Sequence, residues 1–456
     1  MRKNLILDTD SYKLSHYKQY PPNTEHVFSY IESRGGAFKS TLFFGLQKAL
    51  IELNKYFPTW DDFDEAKALA GEHGVPFNEA GWRELIELGY FPLEIRAVPE
   101  GTVIQAKNVL VTVVNTDARF YWLTSYLETS LLRAVWYPTT VATLSFECKK
   151  VIQRYMLATC DSLDGLGFKL HDFGARGVSS EESAGIGGAA HLVNFLGTDT
   201  LSAIRCAAHF YNAGVCGYSI PATEHSTITS WGRANELEAY RNVLKKFPEG
   251  LVACVSDSYD IFNAVKNLWG DELRCEVLSR NGTLVIRPDS GDPEDILPIL
   301  LDKVGERFGY SINTKGYKVL NDKVRLIQGD GVNLASLARI LEIMSTKGWS
   351  TENIAFGMGG GLLQQLNRDT LKFAMKNSAV RVNGQWQDVY KDPITDHGKR
   401  SKKGILDLQQ GKTVTIEPEL LFAQRASSDL QIVYRNGELY NTMDFQQIRD
   451  NSQAFL

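Results

Sequence analysis

The stretch Leu284-Val-Ile-Arg-Pro-Asp-Ser-Gly-Asp-Pro293 packs several chemically able residues into one short segment. Its apolar, β-branched start reads as a buried strand, and Pro288 stops it. A cation, Arg287, and a carboxylate, Asp289, flank that break, and Ser290 and Gly291 supply a tight turn with free backbone N–H groups. A strand ending in this way can surround one anionic, metal-bearing ligand with donors and acceptors. The same residue types also suit the start of any helix after a strand, where Asp, Ser and Pro are favoured. The remaining strand ends weigh between these readings.

From Gly167 onward, short apolar runs recur: Phe168–Phe173, Gly217–Ile220, Leu251–Ser256, Leu284–Arg287, Val324–Gln328 and Asn353–Phe356. They recur at intervals of roughly 30–45 residues, each followed by a polar or glycine-rich turn and a helical pattern, as βα units require. Six such units predict a parallel α/β barrel or, failing that, a doubly wound sheet. In either fold the turns share one face. They contain Phe173 and Arg176 with a capping pattern at Ser179, Asp199 after the next helix, Glu224 and His225, Asp257, Asp289, Gly329 and Asp330, and Gly359 and Gly360 opening a helix that carries Arg368. Glycine turns at helix starts let N–H groups approach phosphate, and Gly359, Gly360 and Gly329 suit this. Arg176, Arg287 and Arg368 can fork onto phosphate oxygens. Asp257 and Asp289 can hold Mg²⁺, Asp330 can accept from sugar hydroxyls, and Phe173 can offer a flat face to a ring.

Each of these residues also has a plainer use. Asp199 can cap a helix near Leu201, and Asp257 one near Ile261. A lone histidine such as His225 is more often a hydrogen-bonded core residue. The run from Lys399 to Lys403 suits a solvated loop. No Walker-type phosphate loop and no dinucleotide fingerprint is present.

The elements that must carry these turns divide the chain in three. Residues 1–165 mix strands and helices without βα alternation, which predicts an α+β domain. Tyr12 lies in an aromatic, charged segment without clear period, and Val27–Arg34 reads as a strand ending in Arg34. Residues 166–374 form the barrel. Residues 375–456 return to strands, with an Asn-Gly hairpin after Val380, and complete the first domain's sheet.

Composition narrows the function. The 456 residues are 43% hydrophobic and 23% charged with net charge −5, so no basic field points to nucleic acid. Six scattered cysteines form no Cys-x-x-Cys and read as reduced cytoplasmic residues. The N-terminus becomes charged too early for a signal peptide, and no run of about 18 apolar residues suggests a membrane span.

Taken together, the motifs closely resemble the nicotinamide phosphoribosyltransferase family, related to the nicotinate phosphoribosyltransferases. The matching stretches are Thr9-Asp-Ser-Tyr-Lys13, His16-Tyr-Lys-Gln-Tyr-Pro-Pro22, Lys169-Leu-His-Asp-Phe-Gly174, Arg176-Gly-Val-Ser-Ser180, Gly197-Thr-Asp-Thr200, Glu224-His-Ser-Thr-Ile-Thr229, Ser256-Asp-Ser-Tyr-Asp260, Ile286-Arg-Pro-Asp-Ser-Gly291, Ile327-Gln-Gly-Asp-Gly331, Gly359-Gly-Gly-Leu-Leu-Gln364 and Lys391-Asp-Pro393. The resemblance implies the type II phosphoribosyltransferase α/β barrel, with a discontinuous α+β domain, as an obligate homodimer with active sites at the interface. It implies transfer of phosphoribosyl from phosphoribosyl pyrophosphate to nicotinamide, giving nicotinamide mononucleotide and pyrophosphate in NAD salvage, with Mg²⁺ and with ATP as a coupling substrate.

Roles follow by position. Phe173 and the partner subunit's Tyr12 would sandwich the pyridine ring, and Asp199 would accept from the carboxamide and repel nicotinate. Arg176 and Arg287 would line the pocket. Asp257, Asp289, Gly329, Asp330, Gly359 and Gly360 would surround ribose, phosphate and Mg²⁺. Arg34, Arg368, Lys376, Lys391 and Lys399 would bind phosphates. ATP would phosphorylate His225, with Glu224 beside it. Ala253 and Met358 depart from the family pattern at a serine and a small residue. Two alternatives stay open: nicotinate phosphoribosyltransferase, and a non-catalytic signalling or scaffold protein on the same fold.

Overall fold

The computed structural model describes residues 3–395 and 400–456. The chain folds as two compact units, Met1–Thr143 with His209–Ala213 and Asn367–Leu456, and Leu144–Ala208 with Gly214–Leu366. The division falls at 143 and 366 rather than at 165 and 374. The helix Glu128–Thr159 runs unbroken through the first point, and residue 374 lies inside the strand Phe373–Val382 of the first unit's sheet.

The first unit is built on a seven-stranded antiparallel sheet. Its order is Gln385–Asp388, Phe373–Val382, Thr24–Ser33, Val109–Asn115, Leu93–Ala97, Gln431–Arg435 and Glu438–Leu439. Tail strands therefore flank the N-terminal ones on both sides, as the alternating tail predicts. Asn383 and Gly384 both take positive φ, 49° and 76°, the geometry a two-residue hairpin turn demands. Val109-Leu-Val-Thr-Val-Val-Asn115 is buried on both faces, which suits its β-branched run. The unpatterned segment around Tyr12 forms a 3₁₀ helix, Ser11–Lys18.

The second unit holds a six-stranded, all-parallel sheet ordered Gly197–Thr198, Leu170–Asp172, Ile354–Met358, Val324–Gln328, Asn281–Arg287 and Glu249–Val255. Residues 217–222 close it. Tyr218 bridges Gly197 on one edge, and Ala222 bridges Ala253 on the other, both parallel. The sequence pattern predicts a regular strand at 217–220; the structure makes isolated bridges there instead, because the segment switches partner between two edges. It also adds the two-residue strand at Gly197, too short for any periodicity to reveal. The barrel is thus the outcome, not the doubly wound sheet.

Side-chain alternation sorts the barrel. Ala253, Val285 and Ile327 pack together with Ala355, Phe173 and Ile220. Because Ile220 belongs to the closing segment, this face is the interior. The other face supports the helices, with Leu284, Ile286, Leu326, Ile354 and Phe356 buried at 1% exposure or less. At the opposite end from the turns, buried Lys169 donates to the carbonyls of Thr351, Glu352 and Ile354 at 2.9–3.0 Å and fixes the entry to the Ile354 strand. None of the six cysteines forms a disulfide, and five are buried. Among the described residues no helix is long and apolar enough to cross a membrane.

Candidate active site

Parallel strands bring every C-terminal end to one rim, and the rim can be followed residue by residue. Phe173 follows the Leu170 strand and keeps its inward parity, its N–H bonded to Met358 O at 3.1 Å. Its ring occupies space that the neighbouring strands leave open by carrying glycine. A Cβ built on Gly357 would stand 2.0 Å from the Phe173 ring, and one on Gly329 3.3 Å from both the ring and Arg287. The Arg287 guanidinium lies 5.9 Å from the ring centroid. Arg287 in turn donates to Asp289 Oδ1 from NH2 at 2.7 Å, across the proline that ends their strand.

Asp289 joins the next cluster. Its N–H donates to Asp257 Oδ2 at 2.9 Å, and the Ser290 hydroxyl reaches the same oxygen at 2.5 Å. Asp257 Oδ1 faces His225 Nε2 at 3.0 Å, while His225 Nδ1 lies 3.8 Å from Asp289 Oδ2. Burial works to raise the Asp257 pKa, but the Ser290 hydroxyl, the Asp289 N–H and His225 outweigh it and hold the carboxyl below its ordinary value. His225 is therefore no core histidine; its side chain is 46% exposed. Nor does Asp257 cap the following helix, a task that falls to Asp260.

Past His225 the rim returns through the closing segment. The Ser219 hydroxyl donates to Asp199 Oδ1 at 2.5 Å and ties that carboxylate to the closing segment. Asp199 itself is exposed, and its N–H bonds the Asp172 carbonyl at 3.0 Å. Gly359 packs against the Phe173 backbone, where a Cβ would sit 3.5 Å from its carbonyl oxygen, and one on Gly177 would sit 3.6 Å from Gly360. Asp330 and Arg176 are exposed at the same end. Ser180 rather than Ser179 caps the helix after Arg176.

Some expected residues stand elsewhere. Glu224 is not on the His225 ring: it caps the helix His225–Thr229, and its carboxylate accepts from the Ser226 hydroxyl. Arg368 is not on the helix opened by Gly360, which ends at Leu363; it lies in a separate turn of the first unit. That unit holds its own cluster of cations. Burial lowers the Lys376 pKa, Glu128 opposes that, and the charges of Arg34, Lys13 and Arg368 lower it further. Arg34 is paired with Glu32 at 3.4 Å and Lys13 with Glu128 at 2.6 Å. Tyr12 is 58% exposed, with its ring edge-on to His16. Lys391 is exposed, and Lys399 lies outside the described residues.

Four residues received no side-chain or steric role from the sequence: Ser219, Ser290, Gly357 and Asp172. Ser290 and Gly357 sat inside recognised turns, and a glycine level with an inward aromatic on a neighbouring strand was the available signal. Ser219 and Asp172 carried none beyond adjacency. Among the described residues no group of three or more His, Cys, Asp or Glu is gathered as a metal cage. Asp257 and Asp289 nevertheless present an all-oxygen pair on adjacent strand ends, the donor set Mg²⁺ takes when substrate phosphates and water complete its shell.

Comparison with known proteins agrees with this architecture. Residues 168–438 match the nicotinate phosphoribosyltransferase (NAPRTase) family, and residues 4–95 match the nicotinamide phosphoribosyltransferase N-terminal domain. A nicotinamide phosphoribosyltransferase of Xanthomonas campestris is 54% identical, over 99% of this chain and 98% of its own. One from Acinetobacter baylyi is 33% identical over 98% of this chain and 97% of its own. The crystal structure of human nicotinic acid phosphoribosyltransferase shares the fold, with a TM-score of 0.59 at 16% identity over 98% of this chain and 93% of that one. The closed parallel barrel, its rim of strand-end groups and these near full-length matches lead to one conclusion: the chain belongs to the nicotinamide phosphoribosyltransferase family.

Proposed function

We propose that this chain transfers the phosphoribosyl group of phosphoribosyl pyrophosphate to nicotinamide, yielding nicotinamide mononucleotide and pyrophosphate for NAD salvage. The observation that carries the reading is the single barrel rim on which an aromatic platform, Phe173, and an exposed carboxylate, Asp199, stand beside the Arg287–Asp289–Asp257–His225 cluster. The pyridine ring stacks on Phe173 and its carboxamide NH₂ donates to Asp199. Nicotinate in the same pose places a second carboxylate against Asp199, which disfavours it.

The reaction breaks the C1–pyrophosphate bond and forms a C1–N bond to the ring nitrogen. That nitrogen already carries a lone pair, so the site needs no strong base. Its tasks are to hold the ring in line and to favour charge separation as C1 becomes oxocarbenium-like. Asp257 and Asp289 would hold Mg²⁺, which when bound supplies positive charge to the departing pyrophosphate. Gly329, Gly359 and Gly360 leave their backbone open to the ribose and phosphate, with Asp330 and Arg176 beside them. The cations Arg34, Arg368, Lys376, Lys391 and Lys399 would bind phosphate groups, some of them across a homodimer in which Tyr12 comes from the partner subunit.

His225 extends the reading to ATP. With Nε2–H held by Asp257, Nδ1 keeps its lone pair and can attack the γ-phosphorus. The N–P bond forms as ADP leaves, and water later returns the histidine. ATP then occupies the phosphoribosyl pyrophosphate pocket, and Glu224 acts through the helix it caps. The absence of disulfides among the six cysteines suits a cytoplasmic enzyme.

The deciding experiment measures ribotide formation from nicotinamide and from nicotinic acid, for the native chain and for Asp199→Asn. Preference for nicotinamide that falls in the variant is expected. Preference for nicotinic acid overturns the amide assignment, and no product from either substrate favours a scaffold.

A further inference from the structure

Between the platform and the amide acceptor lies Asp172, to which no role has been given. It ends the Leu170 strand with 0% exposure, and its side chain points away from the barrel interior, opposite in parity to His171 and Phe173. Each of its three oxygens ties down one flank of the site. Oδ1 accepts from the Gly174 N–H at 2.7 Å, the residue after Phe173. Its carbonyl accepts from the Asp199 N–H at 3.0 Å. Oδ2 takes a long contact of 3.5 Å from the Thr198 hydroxyl, whose oxygen accepts the Thr200 N–H at 3.0 Å. The carboxylate thus bonds the residue after Phe173 and the residue before Asp199, and neither functional side chain.

The surroundings are shaped for it. A Cβ on Gly188 would stand 2.9 Å from Asp172 Oδ2 and 2.6 Å from Ala203 Cβ, so the overlying helix presents glycine where the carboxylate lies. A buried polar group is retained at a cost unless its bonds are used. A small apolar residue would fill this place at lower cost if packing were the whole task.

We infer that Asp172 is a positioning residue that sets the spacing between Phe173 and Asp199, and through it the preference for a pyridine amide. The inference rests on the reading of those two residues as the pyridine-carboxamide site.

The test uses the full chain at saturating phosphoribosyl pyrophosphate. KM and kcat are measured with nicotinamide and nicotinic acid, and melting temperature alongside, for Asp172→Ala, Asp172→Asn, Thr198→Val and Asp199→Asn. Asp172→Ala is expected to raise the KM for nicotinamide about tenfold while kcat stays within about threefold, and to move the amide-over-acid preference toward that of Asp199→Asn. Asp172→Asn, which still accepts from Gly174 and reaches Thr198, is expected to restore both. Thr198→Val removes only the hydroxyl and is expected to act in the same direction, by about threefold. It decides the matter if Asp172→Ala does not fold. Unchanged KM and preference in folded Asp172→Ala or Thr198→Val overturns the inference, as does failure of Asp172→Asn to rescue. A silent Asp199→Asn overturns the underlying reading instead.

Discussion

Asp172 and Asp257 stand at or just past the ends of two strands of one barrel, yet their protons are held in opposite ways. Burial pushes Asp172 up to about 6, and the Gly174 N–H with the Thr198 hydroxyl recovers only part of the shift. At Asp257 burial works in the same direction, but Ser290, the Asp289 N–H and His225 reverse it. The difference lies in the donors, not in the strand: a carboxyl facing the helices meets a few neutral donors, while one at the open rim meets a histidine as well as a hydroxyl and an amide. On the proposed reading, the Asp172 side of the rim serves the aromatic amide and the Asp257 side serves phosphate chemistry.

The sharpest break in that contrast comes from removing charge on the Asp257 side. Asp289→Ala takes away the partner of Arg287 and one of the two carboxylates proposed to hold a cation. A fall of about 100-fold in kcat/KM for phosphoribosyl pyrophosphate is expected, with a smaller change in the KM for nicotinamide. Steady-state ribotide synthesis at varied levels of each substrate reads both, and equal loss toward both substrates would erase the division.

On the other side the expected effect is steric. Gly357→Ala puts a methyl where the Phe173 ring lies, so the ring must move. Overpacking of this kind costs roughly 1–3 kcal/mol, which lowers the melting temperature and raises the KM for nicotinamide about tenfold. Combining Gly357→Ala with Phe173→Leu removes the clash, so thermal denaturation of the pair separates packing from ring placement: stability should return and nicotinamide binding should not.

The smallest effects are read through pH. A carboxyl whose folded pKa is raised destabilises the fold when ionised: no penalty exists well below pH 4, it grows through about pH 6, and it is constant above. Asp172→Asn should therefore melt higher than the native chain at pH 8, by at most on the order of 3 kcal/mol, with the gain vanishing toward pH 4. For Asp257, whose pKa is lowered, the sign is opposite: its stabilisation is present at neutral pH and lost as pH falls through the depressed value. Asp257→Asn should melt lower than the native chain at pH 7 in metal-free buffer. Melting curves of both variants across pH 4–8 that moved in parallel would contradict the contrast.

How far the chain disclosed these two sides depends on the range of the interactions. Arg287, Pro288 and Asp289 were readable because the strand break and its polar groups are neighbours in sequence. The alternation of the tail strands and the Asn383-Gly384 turn were readable for the same reason. The partner switch at residues 217–222 was not, since a segment bonded to two separate edges carries no strand period of its own. Arg368 was misplaced because nothing local showed that the helix begun at Gly360 stops after one turn. Glu224 was adjacent to His225 in sequence, but its N-cap position turns it to Ser226.

By itself the sequence determined most of the βα order, the strand ends that carry Phe173, Asp257 and Asp289, and the family those motifs match. Such features live in local periodicity and adjacent residue types. Only the tertiary structure decided which of these groups touch. His225 and Asp257 meet across 32 positions, and the Asp289 N–H meets Asp257 across another 32, because parallel register places those ends side by side. Barrel closure then brings Ser219 to Asp199, and the absence of a side chain at Gly357 makes room for a ring borne on the neighbouring strand. These contacts depend on long-range register and on volume, which a linear pattern does not encode.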